Sequence, residues 1–131
     1  MNEEAIAEAI LDVAFYIHRM YGPGLLESIY EDLMENELVK RGFFVERQKS
    51  IPLQHETLRR PRAFRADLIV NHTVLVELKS QIDLHNDYYR TVVTYLRLSR
   101  LELGLLINFG TPLLRDGIRR VRNDHRIPLP E

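Results

Sequence analysis

Two segments near the start of the chain carry apolar residues at helical spacing. Over residues 3–20 apolar side chains recur at steps of three and four, which is typical of an amphipathic helix with one apolar face. Asn2 is suited to cap this helix, and Gly22-Pro23-Gly24 ends it. A second helix is predicted from about residue 25 to residue 41, where Gly42 stops it. The predicted inward-facing side chains are Ile6, Ile10, Val13, Ile17 and Met20 in the first helix and Leu26, Ile29, Tyr30, Leu33 and Leu38 in the second.

The rest of the chain alternates between short apolar runs and polar segments, which predicts a sheet. Residues 103–109 are apolar almost throughout, as is typical of a central strand. The polar segment Glu56–Arg62 contains Pro61 and predicts a loop, and a third helix is expected over about Asn86–Ser99. The predicted strands are residues 43–48, 51–55, 64–70, 74–79, 103–109 and 117–122. This order predicts a single α/β domain over residues 1–131, with a central mixed β-sheet flanked by helices and a loose tail from about residue 123.

Three charged residues interrupt the apolar hairpin formed by residues 64–70 and 74–79. They are Asp67, Glu77 and Lys79, in strands that otherwise have the composition of buried ones. A buried charge is costly unless it is paired or bound to a metal. A three-residue loop, Asn71-His72-Thr73, would place Asp67 opposite Glu77 on one face, whereas a two-residue turn would separate them. The pairing register therefore decides whether a site exists.

Two adjacent carboxylates repel each other unless they are protonated or bridged by a cation. An oxygen-only pair suits Mg²⁺ or Mn²⁺, which bind carboxylate and phosphate oxygens. Beside such an ion, Lys79 would be a charged donor that orients the attacking water or stabilises a pentacoordinate phosphate. The alternative is a half-exposed hairpin on which Asp67 and Glu77 are only solvated or ion-paired.

The composition is that of a soluble protein with a substantial core. The chain has 131 residues, of which 45% are hydrophobic and 28% charged. No apolar run reaches the length of a membrane span, and the acidic start Met-Asn-Glu-Glu lacks the basic region of a signal peptide. The absence of cysteine excludes disulfides and thiolate metal sites. The histidines also lack the spacing of a metal site. From the lack of cysteine, of a membrane span and of a signal peptide we expect a cytoplasmic protein.

Charge is distributed unevenly along the chain. Residues 1–37 carry nine acids and one base, whereas residues 38–131 carry seventeen bases and ten acids. Guanidinium groups suit bidentate contact with phosphate, so the arginines are candidates for binding nucleic acid. Alternatively, the acidic helices and the basic remainder pair with each other. The arginines concerned are Arg59, Arg60, Arg62 and Arg65, and then Arg115, Arg119, Arg120, Arg122 and Arg126.

The sequence resembles the PD-(D/E)XK nuclease superfamily, through Asp67, nine intervening residues and then Glu77-Leu78-Lys79. It is similar more narrowly to the GxxExxY proteins, through Gly24-Leu-Leu-Glu27-Ser-Ile-Tyr30 and further matching stretches that reach Gly110. The superfamily implies a restriction-endonuclease-like fold, dependence on a divalent metal and hydrolysis of phosphodiester bonds.

By this resemblance Asp67 and Glu77 would be metal ligands and Lys79 the catalytic lysine. Glu27 would be the acid that a core helix brings to the metal and the reaction centre, with Tyr30 on the same face. Alternatively, Glu27 is only a first-turn acid on the helix dipole, and Tyr30 and Tyr95 are core residues.

One departure from the family pattern concerns the third predicted helix. Relatives commonly place His-Glu and then a glutamine before the tyrosine that Tyr95 matches, whereas this chain has Tyr88, Tyr89 and Thr91 there. Threonine is shorter and offers no amide, which puts turnover in doubt. Tyr88 or Tyr89, if exposed, would be suited to stack on bases.

Three functions therefore stay open. The first is a Mg²⁺- or Mn²⁺-dependent nuclease acting on DNA or RNA. The second is a module that retains the fold and binds nucleic acid or protein with little or no turnover. In the third the charges form a metal-free ion network in a domain that serves assembly. A homodimer through the first amphipathic helix is an option beside packing of that helix within one subunit.

Overall fold

The structure is a computed structural model that describes residues 1–124. Arg126, His125 and most of the predicted loose tail lie outside these residues. The elements are helices α1 (Glu3–Tyr21), α2 (Glu27–Lys40) and α3 (Asn86–Ser99), strands β1 (Val45–His55), β2 (Leu58–Val70), β3 (Val74–Lys79), β4 (Leu103–Asn108) and β5 (Ile118–Arg122), and a short 3₁₀ helix (Leu114–Gly117).

Helix α1 forms as its hydrophobic spacing predicts. The Asn2 side chain accepts a hydrogen bond from the Ala5 amide at 2.8 Å, which satisfies one free donor of the first turn. Gly22 ends the helix with a φ of 74°, a conformation that glycine adopts without strain. The apolar face is buried against the sheet, but Met20 is 53% exposed, so its predicted inward position is wrong.

Helix α2 begins two residues later than predicted, and Tyr30 and Leu38 are buried as predicted, whereas two other predicted inward residues are exposed. Leu26 is the residue before the helix and is 72% exposed, and Ile29 is also exposed. The predicted inward positions of these two residues are therefore wrong. The buried side chains are Tyr30, Glu31, Met34 and Leu38.

The five strands form one mixed sheet in the order β1-β2-β3-β4-β5. Strands β3 and β4 are parallel, and the other neighbours are antiparallel. Helices α1 and α2 cover one face and α3 packs on the other, so each face buries its own apolar cluster. The predicted α/β fold with a central mixed sheet flanked by helices is confirmed.

The predicted loop at Glu56–Arg62 is wrong. β1 is one strand rather than two, and β2 already begins at Leu58, so the two form a long antiparallel hairpin. The register shifts between Ile51 and Leu53, opposite Pro61. A bulge of this kind accommodates a proline that cannot donate to the ladder.

The alternation of side chains along β1 changes at Gln48. Val45 packs with the α1 and α2 side, whereas Ile51 packs with the α3 side, although residues six apart share a face in a regular strand. Gln48 has a φ of 50°, a left-handed conformation that is uncommon for glutamine. The register places Gln48 opposite Asp67, so the change of face occurs beside the candidate site.

Candidate active site

Asp67 and Glu77 converge from neighbouring strands. Val70 pairs with Val74 and Leu68 with Val76, which confirms the predicted register and the three-residue loop. Asn71 and His72 in that loop both have positive φ, at 51° and 56°.

Each carboxylate accepts a hydrogen bond from the backbone of the opposite strand. The Asp67 amide donates to Glu77 Oε1 at 2.9 Å, and the Leu78 amide donates to Asp67 Oδ2 at 2.8 Å. These side chains therefore take over part of the ladder between β2 and β3. The predicted convergence is present.

Burial of the pair outweighs the positive charge of nearby Lys79, which lowers the pKa of both carboxyls. Burial, followed by the neighbouring charge of Asp67, raises the pKa of Glu77 to about 8. Burial also raises the pKa of Asp67, with Glu31 and Glu27 adding to the effect and the Leu78 amide opposing it. At neutral pH the pair therefore favours a bound proton, or a cation in its place.

Lys79 is held beside the pair by an aromatic ring and one acid. Its Nζ lies 4.4 Å from the centre of the Tyr88 ring and 4.0 Å from Glu27 Oε1. The Tyr88 hydroxyl accepts a hydrogen bond from Gln81 Nε2 at 2.7 Å, which fixes the ring. Tyr88, which the sequence made a candidate for base stacking, instead lies against the lysine.

Glu27 is the first residue of α2 and faces Lys79. Within residues 1–124 no three aspartate, glutamate or histidine side chains are arranged as a metal-binding group. The structure thus brings Glu27 to the lysine but does not gather it with Asp67 and Glu77. Its role as a third metal ligand stays a prediction.

Tyr30 supports the turn before α2. The Tyr30 hydroxyl donates to the Gly22 carbonyl and accepts from the Leu25 amide at 3.1 Å. Its ring stacks on Phe109, with centroids 4.2 Å apart. The structure therefore favours the core interpretation of Tyr30. A Cβ at Gly24 would meet no atom within 4 Å, so steric exclusion does not explain that glycine.

Two residues at the site were missed by sequence analysis. Gln48 Nε2 donates to Glu31 Oε1 at 2.7 Å and lies 3.2 Å from Asp67 Oδ1. Glu31 is only 7% exposed and also pairs with Arg47. Its position one helical turn after Glu27 was a usable signal. No sequence signal marks Gln48, because its place depends on an unusual backbone angle.

Tyr95 lies at the edge of the site rather than wholly in the core. Its ring packs on Phe64, but burial and the charges of Glu77 and Asp67 raise the pKa of its hydroxyl. Thr91 Oγ1 hydrogen-bonds the Asp87 carbonyl at 3.0 Å, within its own helix. Thr91 therefore does not replace the glutamine expected at its position.

The loop after β4 fixes the end of β3, which carries Lys79. The buried Asn108 amide accepts from the Gln81 backbone amide and donates to the Gln81 carbonyl, both at 2.9 Å. A Cβ at Gly110 would lie 2.2 Å from the Gln81 carbonyl oxygen. Only glycine permits this approach, so the chain after Lys79 is held in one place.

The arginines fall into two groups. Arg62 and Arg65 line a cavity of about 320 Å³ together with Gln48 and Tyr95. Arg59 and Arg60 lie nearer the turn between β1 and β2. In the other group, Arg120 and Arg122 form ion pairs with Glu4 and Glu3 of α1. Arg119 bonds the carbonyls of Asp116 and Ile118. For β5, the alternative that acidic and basic segments pair is therefore correct.

The surface of α1 bears on the predicted homodimer. The stripe Ile6, Ile10, Val13 and Ile17 is buried within one subunit. A dimer through that stripe therefore has no support here. No helix in the described part of the chain has the length and apolar character needed to cross a membrane.

Comparison with known proteins agrees with this fold. A model of the PD-(D/E)XK nuclease superfamily matches residues 4–121. No curated protein and no solved structure matches the chain. The narrower likeness to the GxxExxY proteins stays a prediction from the sequence. Because the family model covers most of the chain and the fold agrees with it, the chain belongs to the PD-(D/E)XK nuclease superfamily.

Proposed function

We propose that the protein is a divalent-metal-dependent nuclease that hydrolyses phosphodiester bonds of DNA or RNA. The observation that carries this proposal is the convergence of Asp67 and Glu77 from two strands, with Lys79 two residues further along β3. A carboxylate pair short of positive charge is unfavourable for stability alone and is suited to a ligand.

The donor set fits Mg²⁺ or Mn²⁺. Asp67 and Glu77 offer only oxygen, and the raised pKa of each supports the proposal, because a nearby positive charge would favour the ionised carboxylates. These two residues would hold the ion, with Glu27 as the further acid that the family resemblance suggests. When bound, the ion would supply Lewis acidity at the phosphate oxygens.

Lys79 would provide the fixed positive charge of the reaction. Hydrolysis joins a water oxygen to phosphorus, breaks one P–O ester bond and delivers a proton to the leaving oxygen. The Lys79 ammonium would orient the attacking water or donate to the oxygens of the crowded phosphate, where charge develops. Glu27 and the Tyr88 ring restrict its side chain, which reduces the reorganisation needed during the reaction.

Cleavage of labelled single- and double-stranded DNA and RNA, with Mg²⁺, with Mn²⁺ and with EDTA, tests this function. We expect metal-dependent cleavage by the wild type and none by Lys79→Ala. Lys49→Ala is a matched control, because Lys49 also lies in the sheet but pairs with Glu46 at 2.7 Å. Absence of cleavage on every substrate by a folded wild-type protein would contradict the proposal.

A second candidate function is a binding module that retains the nuclease fold without turnover. The bond of Thr91 to its own helix and the lack of a three-ligand group within residues 1–124 favour it. It predicts salt-dependent binding of nucleic acid that survives Lys79→Ala. Calorimetry with Mn²⁺ separates it from a metal-free ion network, because only a metal site gives a binding isotherm that Asp67→Asn abolishes.

A further inference from the structure

The cavity beside the carboxylate pair has no role in the chemistry described above. Its lining is Gln48, Arg62, Ala63, Phe64, Arg65 and Tyr95. Gln48 connects the cavity to the site, because its side-chain amide lies 3.2 Å from Asp67 Oδ1. Any molecule in this cavity is therefore a neighbour of the reaction centre.

The two arginines of this cavity have no compensating acid. Within residues 1–124, no carboxylate lies at ion-pair distance from Arg62 or Arg65, and both side chains are exposed. Arg120 and Arg122, by contrast, are paired with α1. An uncompensated guanidinium presents its full set of donors to a phosphate.

Part of the lining of the cavity is aromatic. The rings of Phe64 and Tyr95 lie 5.4 Å apart between centroids, tilted by 51°, and both are partly exposed. No hydrogen bond holds the Tyr95 hydroxyl among the residues that the structure describes. Because burial and nearby carboxylates raise the pKa of Tyr95, that hydroxyl stays protonated at neutral pH and is available as a donor.

We propose that this cavity binds one nucleotide of a single-stranded nucleic acid, next to the phosphodiester presented to Asp67 and Glu77. Arg62 and Arg65 bind the phosphate of that nucleotide, the Tyr95 hydroxyl donates to it, and the aromatic lining contacts its base. The proposal rests on the function proposed above, since it assigns the substrate of the same site.

The aromatic lining is the reason for a single strand. In a duplex the faces of each base are covered by its neighbours, so they do not reach a protein ring. An unpaired base stacks on aromatic side chains with little regard to its identity. The rings and guanidiniums do not distinguish ribose from deoxyribose, so the shared chemistry is that of a single-stranded phosphodiester.

Fluorescence anisotropy in EDTA tests the proposal without cleavage. The probes are 5′-fluorescein-labelled oligothymidylate and oligouridylate of about 12 nucleotides, with an unlabelled duplex as competitor. Arg62→Ala/Arg65→Ala is expected to weaken binding at least ~10-fold and to reduce the slope of log K against log salt by about 0.7 per lost phosphate contact. Arg59→Ala/Arg60→Ala, which removes equal charge from the same hairpin, is expected to change binding less than ~3-fold. Tyr95→Phe, which keeps the ring, is expected to weaken binding by a few-fold.

Two outcomes would overturn this assignment. Equal weakening by the two double variants would mean a diffuse electrostatic field rather than a site, and a duplex that competes as well as a single strand would remove the substrate class. The binding experiment also tests the cavity independently of the proposed nuclease function. Binding that needs Arg62 and Arg65 in a protein that never cleaves would contradict the nuclease alone, whereas cleavage by a protein whose binding ignores both arginines would contradict the cavity alone.

Discussion

Two regions of the molecule hold carboxylates in opposite ways. At the centre of the sheet, Asp67 and Glu77 are mostly buried and accept only amide hydrogen bonds, with no ion pair to either of them within residues 1–124. At its edge, Glu3 and Glu4 are matched by arginines of β5. A surface carboxylate with an ion-pair partner is explained by the fold alone, whereas a buried carboxylate pair without one indicates a ligand-binding site.

The largest expected effect concerns Lys79, which belongs to the central region. Removal of one preorganised donor from a reaction centre typically lowers kcat by about 10²–10³. Lys79→Ala should therefore lower the single-turnover cleavage rate by at least that factor, while Arg122→Ala, in the edge region, leaves the rate unchanged. Equal rates for Lys79→Ala and the wild type would break the distinction between the two regions.

The next effect is the dependence of stability on pH. Because the folded pKa of Glu77 is raised from 4.5 to about 8, the folded protein holds a proton that the unfolded chain has released. The contribution of Glu77 to the free energy of unfolding is then fully present below about pH 4.5 and is lost as the pH rises through about 8. The slope is at most about 1.4 kcal/mol per pH unit for one proton.

Thermal unfolding of the metal-free protein across this range measures the slope. Glu77→Gln removes the titrating group, so its stability should fall less than that of the wild type, and groups that do not interact with Glu77 contribute equally to both curves. Addition of Mg²⁺ or Mn²⁺ should restore wild-type stability at pH 8 but not that of Glu77→Gln. Parallel curves of stability against pH for the two proteins would contradict the raised pKa of Glu77.

Arg47 shares features with both regions, because it forms ion pairs, as the β5 arginines do, and one of its partners is nearly buried. It contacts Glu31, Asp32 and Glu35 of α2, and Glu31 is nearly buried. Arg47→Ala leaves Glu31 with the Gln48 amide alone, so a loss of about 1–2 kcal/mol is expected in urea unfolding. Arg41→Ala, which removes an i, i+4 pair on the same helix, is the control with the smaller effect. A larger loss for Arg41→Ala would reverse this ranking.

The smallest effect is expected at β5. Arg120 and Arg122 lie on the surface, where salt screens ion pairs and their net contribution to stability is small. Arg120→Ala should lower the melting temperature only slightly at low ionic strength and not at all in high salt. A loss that persisted in high salt would show that α1 depends on β5 for its place in the fold.

Sequence patterns predicted the central elements well because these follow from local periodicity. Face alternation showed that only a three-residue loop between Val70 and Val74 would bring Asp67 opposite Glu77, and the structure has that register. The hairpin extension across Pro61 could not be predicted in this way, because a bulge and pairing with β1 outweighed the polar composition of the segment.

Long-range pairing limited the prediction of the site. Gln48 is nineteen residues from Asp67 and meets it only because β1 and β2 pair with a local irregularity. The contact of Tyr88 with Lys79 likewise depends on how α3 lies across the sheet. For the β5 arginines, the sequence offered pairing with the acidic helices as an alternative, but it did not identify the individual partners, which come from the opposite end of the chain.

The left-handed backbone at Gln48 gives position 48 two separate requirements. Glycine would satisfy the angle but not the hydrogen bonds, asparagine would tolerate the angle with a shorter reach, and a β-branched residue would resist the angle itself. Few amino acids meet both demands. Replacement at this one position therefore offers an experimental means of separating the backbone shape of β1 from the hydrogen bonds that Gln48 makes with Asp67 and Glu31.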